Sequence, residues 1–153
     1  MPSLPPTLTV LYPFRGKAFA TPAGRLHTLD EGSGPPIVFL HGNPTWSFMW
    51  RELILGLRER HRCLAVDHLG CGLSDKPEAG PYTLEAHIER TTAWLRATLT
   101  ETFDLVVHDW GGAIGLGVAG RMGDQVRSLT LLNTAAFPFA RIPLRIAVCR
   151  WPW

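Results

Sequence analysis

The segment Val107-His108-Asp109-Trp110-Gly111-Gly112 decides the fold of this chain. It joins the apolar run 103–107 to the small-residue stretch 111–122, which predicts a sharp turn from a strand into a helix. Gly111 and Gly112 supply the small neighbours that such a turn needs. A side chain at the centre of the turn points out of the sheet, beside free N–H groups at the helix start that stabilise an anion. Asp109 stands at this centre.

Outward from this turn, strands alternate with helices. Apolar runs predict strands at 17–21, 25–30, 36–40, 63–66, 103–107 and 128–132, and helical spacing predicts helices at 47–60, 83–99 and 111–122. The first two strands flank Pro22-Ala23-Gly24, so we expect a hairpin there. Alternating strands and helices form βαβ units whose right-handed crossovers build a mostly parallel sheet. The predicted fold class is α/β.

The composition is that of a globular protein, with 153 residues, 46% hydrophobic residues and a net charge of +2. The basic residues form no stripe that would favour nucleic acid. Cys63, Cys71 and Cys149 lack paired or metal-ligand spacing, so we expect free thiols and neither a metal nor another cofactor. No signal peptide and no apolar run of membrane-spanning length is seen. We therefore expect a cytoplasmic protein without a membrane span.

An Asp at the centre of the turn, rather than Ser or Cys, directs the predicted chemistry to an ester-type intermediate on a carboxylate. Hydrolysis of such an ester needs a general base and an oxyanion hole. The hole is usually formed by the backbone N–H after the nucleophile, here Trp110, and one from an earlier loop, here Asn43. The alternative is that Asp109 only caps the helix, which Asp does well.

Two further segments, His41-Gly42-Asn43-Pro44-Thr45-Trp46 and residues 67–77 (DHLGCGLSDKP), follow other predicted strands. Together with the turn at Asp109 they resemble the haloalkane dehalogenase family of α/β-hydrolases, from about Leu11 to the end of the chain. The resemblance implies that Asp109 attacks the substrate and that the side-chain N–H groups of Trp110 and Asn43 hold the leaving halide. The alternatives are core packing for Trp110 and a turn role for Asn43.

Other polar residues near this site are expected to be structural. The resemblance implies that His41 orients its loop and does not act as the base. His108 flanks Asp109 but alternates to the other side of the strand, so it is a weak base candidate. Residues 67–77 are expected to be architectural, with glycines in tight turns and Asp75 bracing the loop through backbone hydrogen bonds.

Four short segments narrow the resemblance. Residues 11–14 (LYPF), 67–72 (DHLGCG), 133–137 (NTAAF) and 142–146 (IPLRI) are similar to the β-lactone decarboxylases of bacterial long-chain olefin biosynthesis. This resemblance implies an apolar β-lactone substrate with two long alkyl chains, which loses its carboxyl carbon to give an olefin. Haloalkane dehalogenation, the hydrolytic cleavage of a carbon–halogen bond, is the alternative. An epoxide hydrolase would need paired Tyr acids in the lid, and only Tyr12 and Tyr82 are present.

The residues that would complete a triad are absent from this sequence. Triads in this fold run nucleophile, acid, then His, yet no His follows His108, and Asn133 stands where some dehalogenases carry the acid. We expect residues 1–133 to form the N-terminal part of the core and residues 134–153 to begin the cap, the lid segment that would cover the site. We also expect the chain to be truncated or split, so that it cannot complete a catalytic cycle alone. A β-lactone synthetase, or a chain supplying the missing half, is the implied partner. The alternative of another class is a catalytically incomplete binding or assembly module.

Overall fold

The structure, a computed structural model, describes residues 4–135 and contains a six-stranded sheet. Its strands are β1 (Lys17–Thr21), β2 (Gly24–Glu31), β3 (Pro36–Leu40), β4 (Arg62–Val66), β5 (Phe103–His108) and β6 (Val126–Leu132). Its helices are α1 (Pro6–Leu11), α2 (Arg51–Leu57), α3 (Leu84–Thr98) and α4 (Trp110–Arg121), with 3₁₀ turns at Ser47–Trp50 and Gly123–Gln125. The predicted strands and helices are confirmed, with shifts of a few residues at their ends.

The strand order across the sheet is β1-β2-β4-β3-β5-β6. The β1–β2 hairpin joins β4 in antiparallel register, whereas β4, β3, β5 and β6 run parallel to their neighbours. Parallel strands end at the same edge of a sheet, so the loops that follow β3, β4 and β5 meet there. The α/β class is confirmed, and this edge holds the candidate site.

The core lies on both faces of the sheet. β3 is buried along its whole length, as its uninterrupted apolar sequence predicts. Val38 and Leu40 pack on the face covered by α3 and α4, and Ile37 and Phe39 pack on the face covered by α2. Alternate side chains of one strand thus reach opposite layers, which fixes the position of the loop after β3.

The starts of two helices show where the local sequence pattern predicts the structure and where it does not. The Thr83 hydroxyl accepts a hydrogen bond from the Ala86 N–H at 3.3 Å, which confirms Thr83 as the predicted N-cap. The helix predicted from residue 47 begins instead as a 3₁₀ turn and becomes α-helical at Arg51. The Ser47 N–H at its start donates to the Asp67 carboxylate at 2.7 Å. No helix within residues 4–135 has the length and apolar character to cross a bilayer.

The predicted cap segment lies almost wholly outside the described residues. Only residues 134 and 135 of the range 134–153 are described. The boundary of the cap, the segment 142–146 and the state of Cys149 therefore stay predictions. Cys63 and Cys71 are free thiols, as expected.

Candidate active site

The turn from β5 into α4 holds Asp109 in an uncommon backbone conformation. Its φ is 52° and its ψ is −124°, a strained combination for a residue with a side chain. Asp109 occupies the cap position of α4, yet its carboxylate makes no capping hydrogen bond. Instead Oδ1 accepts the backbone N–H of Asn43 at 2.9 Å. The carboxylate is therefore bound to the loop after β3 and not to its own helix.

Three glycines allow the close approaches around this turn. A Cβ added at Gly42 would lie 2.7 Å from Asp109 Cγ, and one at Gly111 would lie 2.6 Å from the His41 carbonyl oxygen. A Cβ at Gly112 would lie 2.6 Å from Thr134 Cβ. Real side chains do not tolerate such distances. The glycines predicted for the turn are therefore needed because backbone and side chains from other strands approach them closely.

Thr134 anchors the turn from the neighbouring strand. Its hydroxyl donates to the Asp109 carbonyl at 2.5 Å, and the same carbonyl accepts the Gly112 N–H at 2.9 Å. The Asp109 N–H in turn faces the Leu132 carbonyl at 3.4 Å. Sequence reasoning missed this role of Thr134. Its position just past β6, beside the end of β5, is the signal that would have indicated it.

His41 fixes the loop that carries Asn43. Its Nε2 accepts the backbone N–H of His68 at 2.9 Å, so the proton resides on Nδ1, which donates to the Gly42 carbonyl at 2.7 Å. The Gly42 carbonyl also accepts the Thr45 N–H at 3.0 Å. Burial lowers the pKa of His41, which favours this neutral ring. Both ring nitrogens are engaged, so His41 has no free lone pair with which to act as a base.

A cavity of about 410 Å³ lies beside the turn. Asn43 and Trp110 both line it, together with residues of the loop after β4 and of α3. Trp110 is 52% exposed, so its indole is not packed in the core of the described residues. Asp109 does not itself line the cavity, but it approaches Gly42 and accepts the Asn43 N–H, and both of those residues do line it. The structure thus places Asn43 and Trp110 at one cavity and joins Asp109 to Asn43 by a hydrogen bond.

Three imidazoles, His41, His68 and His87, line the same cavity and are called the cavity histidines below. Their rings follow one another, with centroids 4.5 Å apart for His41 and His68 and 5.5 Å apart for His68 and His87. Burial lowers the pKa of each, that of His87 to about 4, and the nearby Arg90 guanidinium adds to the effect on His68 and His87. All three are therefore neutral at neutral pH.

The loop at residues 67–77 is braced at both ends. Asp67, fully buried, accepts the backbone N–H groups of Ser47 at 2.7 Å and Leu73 at 2.8 Å. Asp75 accepts the Arg25 N–H at 2.8 Å, and its own N–H donates to the Arg25 carbonyl at 2.9 Å. The predicted bracing by Asp75 through backbone hydrogen bonds is confirmed, and the Arg25 guanidinium adds an ion pair.

His108 lies away from the cavity. It ends β5 opposite Leu132 of β6, is half-buried, and does not line the cavity. Its Nδ1 is buried without a hydrogen-bond partner among residues 4–135. Asn133, which follows β6, has a φ of 42°. Within residues 4–135, neither side chain makes a hydrogen bond to Asn43 or Asp109.

Comparison with known proteins decides the family. The family model described as the alpha/beta hydrolase fold matches residues 35–153. The chain belongs to the α/β-hydrolase fold family. This α/β-hydrolase is 43% identical over 149 residues to a cis-3-alkyl-4-alkyloxetan-2-one decarboxylase of Shewanella oneidensis. The match covers 94% of this chain and 47% of the relative. It is 42% identical over 128 residues to a haloalkane dehalogenase of Mycobacterium bovis, covering 84% of the chain and 45% of the relative.

A solved structure gives the same picture. The crystal structure of a haloalkane dehalogenase from Agrobacterium tumefaciens matches this α/β-hydrolase with a TM-score of 0.73 at 40% identity. The match covers 78% of this chain and 41% of the dehalogenase. The chain therefore spans about half the length of the relatives it matches. The predicted α/β-hydrolase fold and the resemblance to both enzyme groups are confirmed.

Proposed function

We propose that this α/β-hydrolase uses Asp109 as a nucleophile and acts on a long-chain β-lactone, through an ester-type covalent intermediate, to give an olefin. One observation carries the role of Asp109. Its carboxylate stands at a strained strand-to-helix turn and is bound to the Asn43 N–H, not to the helix it precedes. Backbone strain of this kind costs about 1–3 kcal/mol and collects at functional sites.

The two oxygens of the carboxylate receive different roles. Oδ1 is held by the Asn43 N–H, so Oδ2 is the atom free to attack the substrate. In the resulting ester, Oδ1 becomes the carbonyl oxygen. In the olefin-forming reaction, Oδ2 bonds to a ring carbon as the ring C–O bond breaks onto the lactone carboxylate; that carboxylate then leaves as CO2, its C–C electrons form the C=C bond, and the C–Oδ2 bond breaks to restore the Asp109 carboxylate. In the hydrolytic alternative, water attacks the ester carbonyl. Negative charge then develops on Oδ1, next to the Asn43 N–H and the start of α4 at Trp110. The hydrogen bond of the resting carboxylate thus supports the proposed oxyanion hole.

The substrate class rests on the relatives and on the cavity. The relative that covers most of this chain among those described above bears the name of an enzyme acting on an oxetanone with two alkyl substituents. The exposed Trp110 indole offers an apolar surface at the cavity. A partner that supplies the lactone, a β-lactone synthetase, or one that supplies further strands remains part of this proposal, as does a cytoplasmic location.

Haloalkane dehalogenation is the second candidate. Asn43 and Trp110 line one cavity, and a side-chain amide N–H and an indole N–H are donors that suit a weakly hydrated halide. In that reaction a bond forms from Oδ2 to carbon, and the carbon–halogen bond breaks with both electrons leaving on the halide. The dehalogenase relatives support this reading.

Rapid acid quenching followed by peptide mass spectrometry tests both reactions. A cis-dialkyl β-lactone that opens on Asp109 adds the whole mass of the lactone, whereas a primary bromoalkane adds only its alkyl group in place of a proton. We expect labelling at Asp109 with the lactone. Release of an olefin, detected by gas chromatography, is expected only when a chain that supplies the missing half is added. Asp109→Asn should abolish labelling, and Asp124→Asn, which changes an exposed carboxylate past α4, should not.

The outcomes separate the candidates. Labelling by the bromoalkane alone would favour the dehalogenase. A label on another residue, or labelling that survives Asp109→Asn, would rule out Asp109 as nucleophile. If a folded protein takes no label from either probe, a catalytically incomplete binding or assembly module becomes the better interpretation of the chain's function.

A further inference from the structure

A double contact joins the loop after β3 to the loop after β4. The His68 backbone N–H donates to His41 Nε2 at 2.9 Å, and the His68 ring Nε2–H donates to the His41 carbonyl at 3.2 Å. His41 is fully buried and His68 is 5% exposed. Charge-neutral hydrogen bonds of this kind are strongest where water is excluded. The two histidines therefore clasp the loops to each other, and we call this contact the histidine clasp.

The clasp leads to the reacting carboxylate through a short series of contacts. The His41 carbonyl, held by the His68 ring, lies against Gly111 in the first turn of α4. The His41 Nδ1–H holds the next carbonyl, that of Gly42, and the following N–H, that of Asn43, donates to Asp109. Any rotation of the His41 peptide would therefore move the Asn43 N–H.

We propose that His68 is a positioning residue for the reaction at Asp109: through His41, it holds the Asn43 N–H on the carboxylate. This inference rests on the proposed function, since the reaction it serves is the one proposed there. It also gives a role in the site to a residue of the 67–77 segment, which the sequence indicated only as architectural. Within residues 4–135, His68 makes no hydrogen bond to Asp109 or Asn43, so it would act through His41.

The geometry of the clasp requires a neutral His41. Protonation of Nε2 would set two donors, that N–H and the His68 N–H, against each other. Burial lowers the pKa of both rings, so the clasp is intact at neutral pH. The carboxylates of Asp67 and Asp109 oppose this shift at His41. The other titratable or charged groups around the pair are Cys71, Lys76, Tyr82, His87 and Arg90.

Substitutions at His68 separate its ring donor from its bulk. His68→Leu removes the Nε2–H, whereas His68→Gln can present an amide N–H at nearly the same place. His68→Asn carries the same amide on a shorter side chain that cannot reach the His41 carbonyl. His61→Leu is the matched control, because it removes an imidazole-to-carbonyl contact just before β4, at the opposite end of that strand.

Two measurements report on the clasp. The first is the rate of Asp109 labelling by the lactone or bromoalkane, and the second is the hydrogen-exchange protection of the Asn43 amide. We expect His68→Leu and His68→Asn to lower both by about tenfold or more. His68→Gln should stay within about threefold of the wild type. Wild-type protection at Asn43 should also fall as the pH is lowered below the ordinary pKa of histidine.

The two proposals fail in different ways. If the wild type takes no label, the proposed function fails, and Asn43 protection still tests the clasp. If His68→Leu leaves protection unchanged, the clasp does not position Asn43, whatever the labelling shows. If His68→Leu does not fold, the comparison of His68→Asn with His68→Gln decides. Equal labelling rates and equal Asn43 protection in these two variants would show that the ring donor is not needed.

Discussion

Gly42→Ala should displace the Asp109 carboxylate without removing any polar group from the site. The new Cβ would lie 2.7 Å from Asp109 Cγ, whereas carbon atoms in contact are separated by about 3.5 Å or more. The carboxylate must therefore move by about 1 Å, away from its 2.9 Å hydrogen bond with the Asn43 N–H. A misplacement of about 1 Å can cost about a hundredfold in rate, equivalent to about 2.7 kcal/mol.

The measurement is the rate of Asp109 labelling by rapid acid quench, with urea unfolding as a check that the variant folds. Gly56→Ala is the matched control, because a Cβ at that position in α2 meets nothing within 4 Å. It should leave labelling unchanged and, as a Gly-to-Ala change inside a helix, should stabilise the fold by about 0.5–1 kcal/mol. A folded Gly42→Ala variant that labels within about twofold of the wild type would refute the argument that steric contact sets the carboxylate position.

Three further predictions concern stability and are all read from urea unfolding. Gly112→Ala should destabilise the fold by about 1–3 kcal/mol, because its Cβ would lie 2.6 Å from Thr134 Cβ, whereas Gly120→Ala, with open space around it, should not. Asp67→Asn should cost about 1–3 kcal/mol, since its amide N–H₂ would face one of the two backbone N–H groups that the fully buried carboxylate accepts. Burial lowers the pKa values of the cavity histidines, so between about pH 6.5 and pH 4 the unfolded chain binds more protons than the folded chain. The free energy of unfolding should therefore fall as the pH is lowered through this range, by at most about 1.4 kcal/mol per pH unit for each ring. Equal unfolding midpoints at these two pH values would contradict the last prediction.

The local sequence pattern was sufficient to predict the elements that are buried along their whole length or on one face only. β3 is apolar throughout and buried throughout, and Thr83 caps α3 where its spacing predicts. α1 was not predicted, because it has no buried residue and therefore no apolar face to read. The insertion of β4 between β2 and β3 was not predicted either. That order depends on pairing between distant strands, which no single window of sequence records.

The residues of the candidate site likewise fall into those that the sequence indicated and those that it did not. The sequence indicated Asp109, Trp110 and Asn43 from the turn and the loop that carry them, and the structure joins Asp109 to Asn43 and places Asn43 and Trp110 at one cavity. It did not indicate Thr134 or the His68 ring, although each makes a hydrogen bond into the site. These contacts join residues 25 and 27 positions apart. They follow from which strands are neighbours, and that was the part of the fold that local pattern left open.

The strained turn is held from several directions, which explains how the chain sustains it. A φ of 52° at Asp109 costs about 1–3 kcal/mol, and each neutral hydrogen bond returns about 1 kcal/mol. The Asp109 carbonyl has two donors, from Gly112 and Thr134, and the carboxylate has a third in Asn43. These donors come from α4, from the segment after β6 and from the loop after β3. These donors meet only when the parallel strands are paired, so folding of the sheet orients the carboxylate. If Asp109 is the nucleophile, as proposed, the free-energy cost of orienting it is therefore met during folding and not during the reaction.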